Sequence, residues 1–452
     1  MNERTVRRVV TRGGRGPEVR EFAFTRDMLP SQNGAAADFV IAARQAAWAA
    51  AERFPLPHTR LEPWRRTDLR SLRVNDFKLP LDGGPADAPP IPESLLAPLV
   101  GDEHGGLIAL GPDRTEITLN PALAAQGVVF TDYATAEREY PALLEKTLGL
   151  SVRPDEGKFA ALTAALARDG VLVYVPKGVD VELPLHSVIW SPGTDLAHFS
   201  HVLIYVDDGA SVTYVHETAS PDAEGQALNG AIVEGYVGQN ARLTFVELQS
   251  LGRHVYNFAH ERIRVDRDGS VDWIYGALGT RLTKAFSDLN LEGEGSSGRM
   301  SGFYFTDKDQ HLDLDTQQNH HAPHTTSDLL FKGALKGESR SVWQGMIYVA
   351  PKAQKTDGYQ ANRNLVLEKT ARADSIPGLE ILADDVRCTH GATIGKIDPD
   401  HMFYLRSRGI PEREAQRLVV EGFFAPIMDR IPFEAVRERL MAAIQSRMIV
   451  GE

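Results

Sequence analysis

The sequence predicts a mainly β protein, organised as a parallel β-helix with α-helical regions before and after it. Two observations carry this. From about residue 171 to about 398 helical spacing largely vanishes, and short β-rich runs take over, among them VLVYVP, HVLIYV, RLTFVEL, VDWIYGAL and SVWQGMIYV. Turn-like segments then recur about every 30 to 40 residues, at Asp207-Asp208-Gly209, Gly238-Gln239-Asn240, Arg267-Asp268-Gly269, Gly293 to Gly298 and Lys336-Gly337-Glu338. A sandwich or barrel would place turns roughly every 8 to 12 residues, whereas stacked coils need them at the longer interval. A flattened sandwich is the alternative arrangement.

The flanking regions follow from composition. Residues 1–34 read as a disordered basic tail: six Arg fall in the first twenty residues, with no apolar core of a secretory signal. Residues 35–170 read as an N-terminal helical region. Ala35 to Phe54 is Ala-rich and stops before Pro55 and Pro57, and residues 82–92 read as a linker. Leu143, Leu144 and Leu148 suit one helix face, and Phe159, Leu162, Ala165 and Leu166 another. Residues 399–452 return to helix. Pro411 and the acidic Glu412 and Glu414 suit a helix start, and Ala415, Leu418, Val419, Gly422, Phe423 and Ile427 form an apolar stripe. Phe433, Val436, Leu440, Ala443 and Ile444 form a second. Each stripe suits either a domain cap or a docking face.

Charge and cysteine usage narrow the function. The 452 residues carry a net charge of −12, which repels nucleic-acid phosphates. No apolar run approaches the roughly 20 residues of a membrane span. Cys388 is the single cysteine, so no internal disulfide can form and a reducing, cytoplasmic setting is expected.

Several segments invite chemistry. Gly293 to Gly298 fits G-x-G-x-x-G, but an apparent strand follows where a dinucleotide site needs a helix, so a β-corner is expected. Gly391 to Lys396 is one residue short of a phosphate loop, and Ile397 stands where Ser or Thr would hold Mg²⁺. His320, His321 and His324 form a dense histidine group, divided by Pro323, for which a polar corner is favoured over a metal site. Cys388 and His390 can share one side of a strand and are suitable iron ligands. One cysteine cannot hold a cubane cluster, which normally takes four thiolates, so any cluster there is shared with another chain. On the residues alone, a structural Cys and a hydrogen-bonded His are favoured.

Longer motifs resemble a known family. Pro377-Gly-Leu-Glu-Ile381, Cys388-Thr-His-Gly-Ala-Thr393, Phe403-Tyr-Leu405 and Ser407-Arg-Gly-Ile410 are similar to the C-terminal signature of the SufB/SufD proteins of iron–sulfur cluster assembly. Glu62 to Asp68, Asp169 to Pro176 and His320 to Asp328 resemble three earlier family segments. Thr389 and Gly391 stand where SufB members typically carry Glu, which resembles the SufD type. The resemblance implies a right-handed parallel β-helix, pairing with a SufB-like subunit, and binding of the ABC-type ATPase SufC. It implies a non-catalytic role, with a transient iron or iron–sulfur cluster shared with SufB at His390, assisted by Cys388. It further implies ATPase docking around Leu418, Val419, Phe423 and Ile427; a homodimer when SufB is absent stays open on the sequence. It is silent on flavin. The competing readings are a β-helical polysaccharide lyase or esterase, and a plain metal-binding solenoid using His320, His321 and His324.

Overall fold

The computed structural model describes residues 20–30, 37–80, 87–100, 103–112 and 114–449. Its body is a two-sided solenoid. Counted from Asp169–Val175 to Arg387–Lys396, successive strands alternate between two sheets, eight to each, and all neighbours within a sheet are parallel. Neighbouring Cα partners lie 26 residues apart at the shortest coil (Phe258 and Lys284) and 32 at the longest (Trp343 and Ser375). The expected mainly β solenoid with helices on both flanks is therefore present, at a somewhat shorter repeat than the turns suggested.

The corner after each of the first seven strands of the first sheet accounts for most of the recurring turns. Gly178, Gly209, Asn240, Asp268, Gly295, His324 and Lys355 occupy it in successive coils, and every one has φ between 54 and 73°. Each of their N–H groups donates to a carbonyl in the next coil: Gly178 to Asp208, Gly209 to Gln239, Asn240 to Arg267, Asp268 to Glu294, Gly295 to Pro323, His324 to Gln354 and Lys355 to Asp385. Glycine, Asn and Asp adopt this left-handed backbone most cheaply, which is why these residues mark the corner in sequence. The glycine-rich 293–298 segment is one such corner.

Inside, apolar side chains of the two sheets meet in a continuous core that includes Val173, Val202, Tyr214, Phe245, Trp273, Leu289, Phe331 and Trp343. Aromatic rings stack from coil to coil, with centroids 5.6 Å apart for Tyr214 and Phe245 and 6.0 Å for Phe245 and Trp273. Two carboxylates interrupt this core. Glu247 and Glu261 hydrogen-bond to each other, while Trp273 Nε1 donates to Glu247 at 3.3 Å and Ser287 Oγ to Glu261 at 2.6 Å. Burial pushes Glu261 up to about 7 and Glu247 well above the carboxylate range.

The region 35–170 is less helical than expected. Gly106–Leu110 pairs in parallel with Asp180–Trp190, Thr115–Leu119 runs antiparallel beside it, and Val129–Asp132 runs antiparallel to Asp169–Val175. These short strands close the first coil of both sheets. The helices Asp38–Arg53 and Lys158–Leu166 cover the outside of the first sheet. Trp48, Trp64 and Phe159 pack there on Phe199 and Phe258, with the Phe159 and Phe258 rings 3.6 Å apart. Of the expected tail, residues 1–19 and 31–34 lie outside the described residues. Residues 20–30 belong to the folded body, because Phe22 and Phe24 stack on each other and pack against Phe77, Phe159 and Phe199. The linker at 82–92 lies partly outside the described residues as well.

At the other end of the chain come the helices Pro399–Ser407, Glu412–Met428 and Glu434–Ile449. The last two lie over the second sheet. Val420, Phe424, Ile427, Val436, Leu440 and Ile444 pack on Val246, Ile274, Phe303 and Phe305. Polar anchors reinforce this seat: Lys332 Nζ donates to the Phe423 carbonyl at 2.7 Å, and Arg439 pairs with the buried Glu217, which His186 also contacts at 3.0 Å.

The acid pair sets a pH dependence. An unfolded Glu titrates near 4.5, while the folded pair holds its protons higher. Between those values the native chain binds more protons than the unfolded chain, so stability falls as pH rises, by about 1.4 kcal/mol per pH unit per proton held, and levels off above the folded values. Glu247→Gln removes one of these sites. Urea midpoints measured from pH 5 to 8 are expected to fall less steeply for this variant than for the parent.

Candidate functional site

The last coil differs from the seven before it. Its strand Arg387–Lys396 is largely exposed and Arg372–Ile381 partly so, and each lies at the end of its sheet. Positions that point inward in earlier coils here meet no further coil. Leu379 and Ile381 are each 38% exposed, Ile394 is 50% exposed, and the neighbouring Leu382 is 51% exposed. Such an apolar, open solenoid end is unusual, because terminal coils normally carry a polar cap.

Cys388 and His390 lie on the Arg387–Lys396 strand of this end, opposite Gly358 and Gln360 in the Cα register. Their spacing of two puts them on the same side of the strand. Cys388 is half-buried beside Ile347, Val349, Ala353 and Ala383, and burial raises its thiol above the usual range. It is therefore a thiol at neutral pH and gives up a proton when it binds a metal. His390 is exposed. A Cβ at Gly358 would lie 3.3 Å from Cys388 Sγ and 3.5 Å from His320 Nε2, so glycine there leaves room between thiol and imidazole. Among the described residues no group of three or more His, Cys, Asp or Glu forms a metal site. Cys388 and His390 offer two donors, and a complete coordination sphere needs others.

The histidine group does not converge. His320 is buried, held neutral with a pKa of about 4 by desolvation, and contacts Thr325 Oγ1 at 2.7 Å and Ser327 Oγ at 2.9 Å. His321 is exposed beside Tyr348, and His324 is an exposed corner residue with φ 59°. The side-chain direction alternates along the strand and then the chain turns, which separates the three rings.

The four expected docking residues divide as well. Leu418, Val419 and Phe423 are half-buried, but Ile427 is fully buried in this chain's own core and cannot meet a partner in this arrangement. Its stripe serves the seat on the second sheet. The exposed aromatics lie one helix earlier: Phe403 is 76% exposed and Tyr404 58%. The adjacent Phe-Tyr-Leu in an otherwise polar helix was the available signal, and the stripe that followed concealed it.

Comparison with known proteins decides the family. The model described as "SUF system FeS cluster assembly, SufBD core domain" matches residues 189–423, and that of the "SufBD protein N-terminal region" matches residues 22–186. The chain belongs to the SufBD family. Its relatives include the iron–sulfur cluster assembly protein SufD of Bacillus subtilis (strain 168), 32% identical over 405 residues, covering 88% of this chain and 91% of that protein. The iron–sulfur cluster assembly protein SufB of the same organism is 32% identical over 312 residues, covering 69% of this chain and 67% of that one. An iron–sulfur cluster assembly SufBD family protein of Staphylococcus epidermidis (strain ATCC 12228 / FDA PCI 1200) is 31% identical with the same coverages. The family's core match runs through the open coil, Cys388 and His390, and on to Phe423 in the second C-terminal helix. Its N-terminal match begins at Phe22, the first of the aromatic residues that pack against the body.

The burial of Cys388 has a direct consequence. Alkylation of the isolated chain by iodoacetamide is expected to reach half its maximal rate at a higher pH than for an unstructured cysteine peptide, as read by intact-mass spectrometry.

Proposed function

We propose that this chain is an accessory, non-catalytic subunit of a cytoplasmic iron–sulfur cluster assembly complex, which joins a SufB-like subunit through the open end of its solenoid. The observation that carries the reading is the uncapped last coil. Its exposed Leu379, Ile381 and Ile394 and its two unpaired strand edges favour extension by a second β body. A SufB-like chain is the natural occupant, since both SufB and SufD are relatives of this chain. A second copy of this chain is the occupant when SufB is absent.

Transient iron or an iron–sulfur cluster is the cargo, held between the paired chains. His390 supplies a neutral imidazole nitrogen, Cys388 a thiolate once its proton leaves, and the partner the remaining donors. The three C-terminal helices serve a SufC-type ABC ATPase, which supplies the ATP hydrolysis. Phe403 and Tyr404 are the anchors of that contact, with Leu418, Val419 and Phe423 behind them; Ile427 supports the helix from inside. No helix among the described residues is long and apolar enough to cross a membrane.

Two experiments test this. In a complex reconstituted with SufB-like and ATPase subunits, His390→Ala is expected to lower cluster yield, read by the visible absorption of the cluster, while co-purification is unchanged. An unchanged yield removes His390 from the proposal. Replacing Phe403 and Tyr404 together by Ala is expected to weaken ATPase binding about tenfold or more in titration calorimetry, with SufB-like pairing retained. Retained ATPase affinity would place that contact elsewhere.

A further inference from the structure

A cavity of about 180 Å³ lies on the outside of the first sheet, away from the open end, where residues 66–71 cross the starts of the strands Leu282–Leu291, His311–His320 and Arg340–Val349. That is several times the roughly 30 Å³ share of one water. Three arginines line it, Arg66, Arg281 and Arg340, against one carboxylate, Asp68.

Most of these charges already have partners. Arg281 pairs with Asp309, Arg340 with Asp374, and Asp68 with Arg70. Arg66 is different: it makes no ion pair among the described residues, and of its donors Nη1 alone is used, toward Gln344 Oε1 at 3.2 Å. Gln344 lies outside the lining, and the Nε and Nη2 of Arg66 take no partner among the described residues, so this guanidinium is available to an oxyanion. The Ser71 and Tyr256 hydroxyls, 3.2 Å apart, add donors at the wall.

His311 adds a selection. Its Nε2 lies 3.0 Å from Thr67 Oγ1, and the single proton of that hydroxyl goes to the Asp313 carboxylate, which also accepts from Lys284 Nζ at 3.0 Å. Nε2 must then carry the imidazole proton and donate to Thr67, which leaves Nδ1 as an acceptor. Desolvation keeps the ring neutral, with a pKa of about 4. An acceptor at the wall favours an anion that still bears an O–H. Hydrogen phosphate has one at neutral pH; sulfate has none.

We propose that this cavity binds a phosphate-type oxyanion, gripped by Arg66 with Arg281, while the guanidinium of Arg340, whose donors are taken by Asp374 and the Arg66 carbonyl, adds only its charge, and distinguished from sulfate by His311. The test uses the full chain with inorganic phosphate in titration calorimetry near pH 7.5, at fixed ionic strength in chloride. Saturable binding of one phosphate per chain is expected, weakened about tenfold or more by Arg66→Gln. Arg138→Gln, which removes an exposed arginine paired with Glu139 and absent from the cavity lining, is expected to bind as the parent. Circular dichroism confirms that each variant is folded, and Arg281→Gln takes the place of an Arg66 variant that is not. Absence of saturable binding, or a folded Arg66 variant that binds phosphate as tightly as the parent, overturns the site. Sulfate bound as tightly as phosphate overturns the part given to His311.

Discussion

Everything in this protein is hung on one backbone constraint: at the same corner of each coil a residue takes left-handed φ and passes its N–H to the coil above. Seven residues from Gly178 to Lys355 do this without a break. The ladder keeps the coils in register, and register decides which side chains point in and which point out. The aromatic column inside, the helical covers outside and the positions of Cys388 and His390 all depend on it. Where non-glycine residues hold the corner, as at His324 and Lys355, the neighbouring coil must compensate for the backbone cost.

Two helical layers cover opposite outer faces of the solenoid, and each is attached by buried polar contacts as well as by apolar packing. On one face Arg44 reaches Glu137 and the Ala167 carbonyl, and Glu234 accepts from the N–H groups of Gly149, Ser151 and Val152 while also meeting His201. On the other, Lys332, Arg430 and Arg439 tie the C-terminal helices to the second sheet. Apolar contact alone would let a helix slide along so regular a surface; directed charge pairs fix one position.

Much of this was legible from the residues. The β-rich runs and the Asp-Gly and Gln-Asn turns identified coils, and the apolar stripes at 158–166 and 433–444 identified the packed helices, because both signals are local periodicities. The strands Gly106–Leu110, Thr115–Leu119 and Val129–Asp132 were not seen, since a run of four or five residues between helices carries too little period to distinguish it from a loop. Ile427, expected at a partner's face, is buried in this chain's own core for a related reason. An apolar stripe states that a helix is covered, but whether its own chain or another covers it depends on long-range contacts. At the candidate site, the Cys-x-His pattern gave a shared strand face, yet neither the half-burial of the thiol nor the separation of His320 from His321 could be read before the corner was placed.

The two ends of the solenoid are unequal. The short antiparallel strands at the first coil terminate both sheets with the chain's own backbone, whereas the last coil leaves both sheets open. A body with two open ends would stack head to tail without limit, as fibre-forming coils do. Antiparallel strands cannot continue a parallel coil, so a partner that adds at the other end, as proposed above, would complete a finite pair and start no filament.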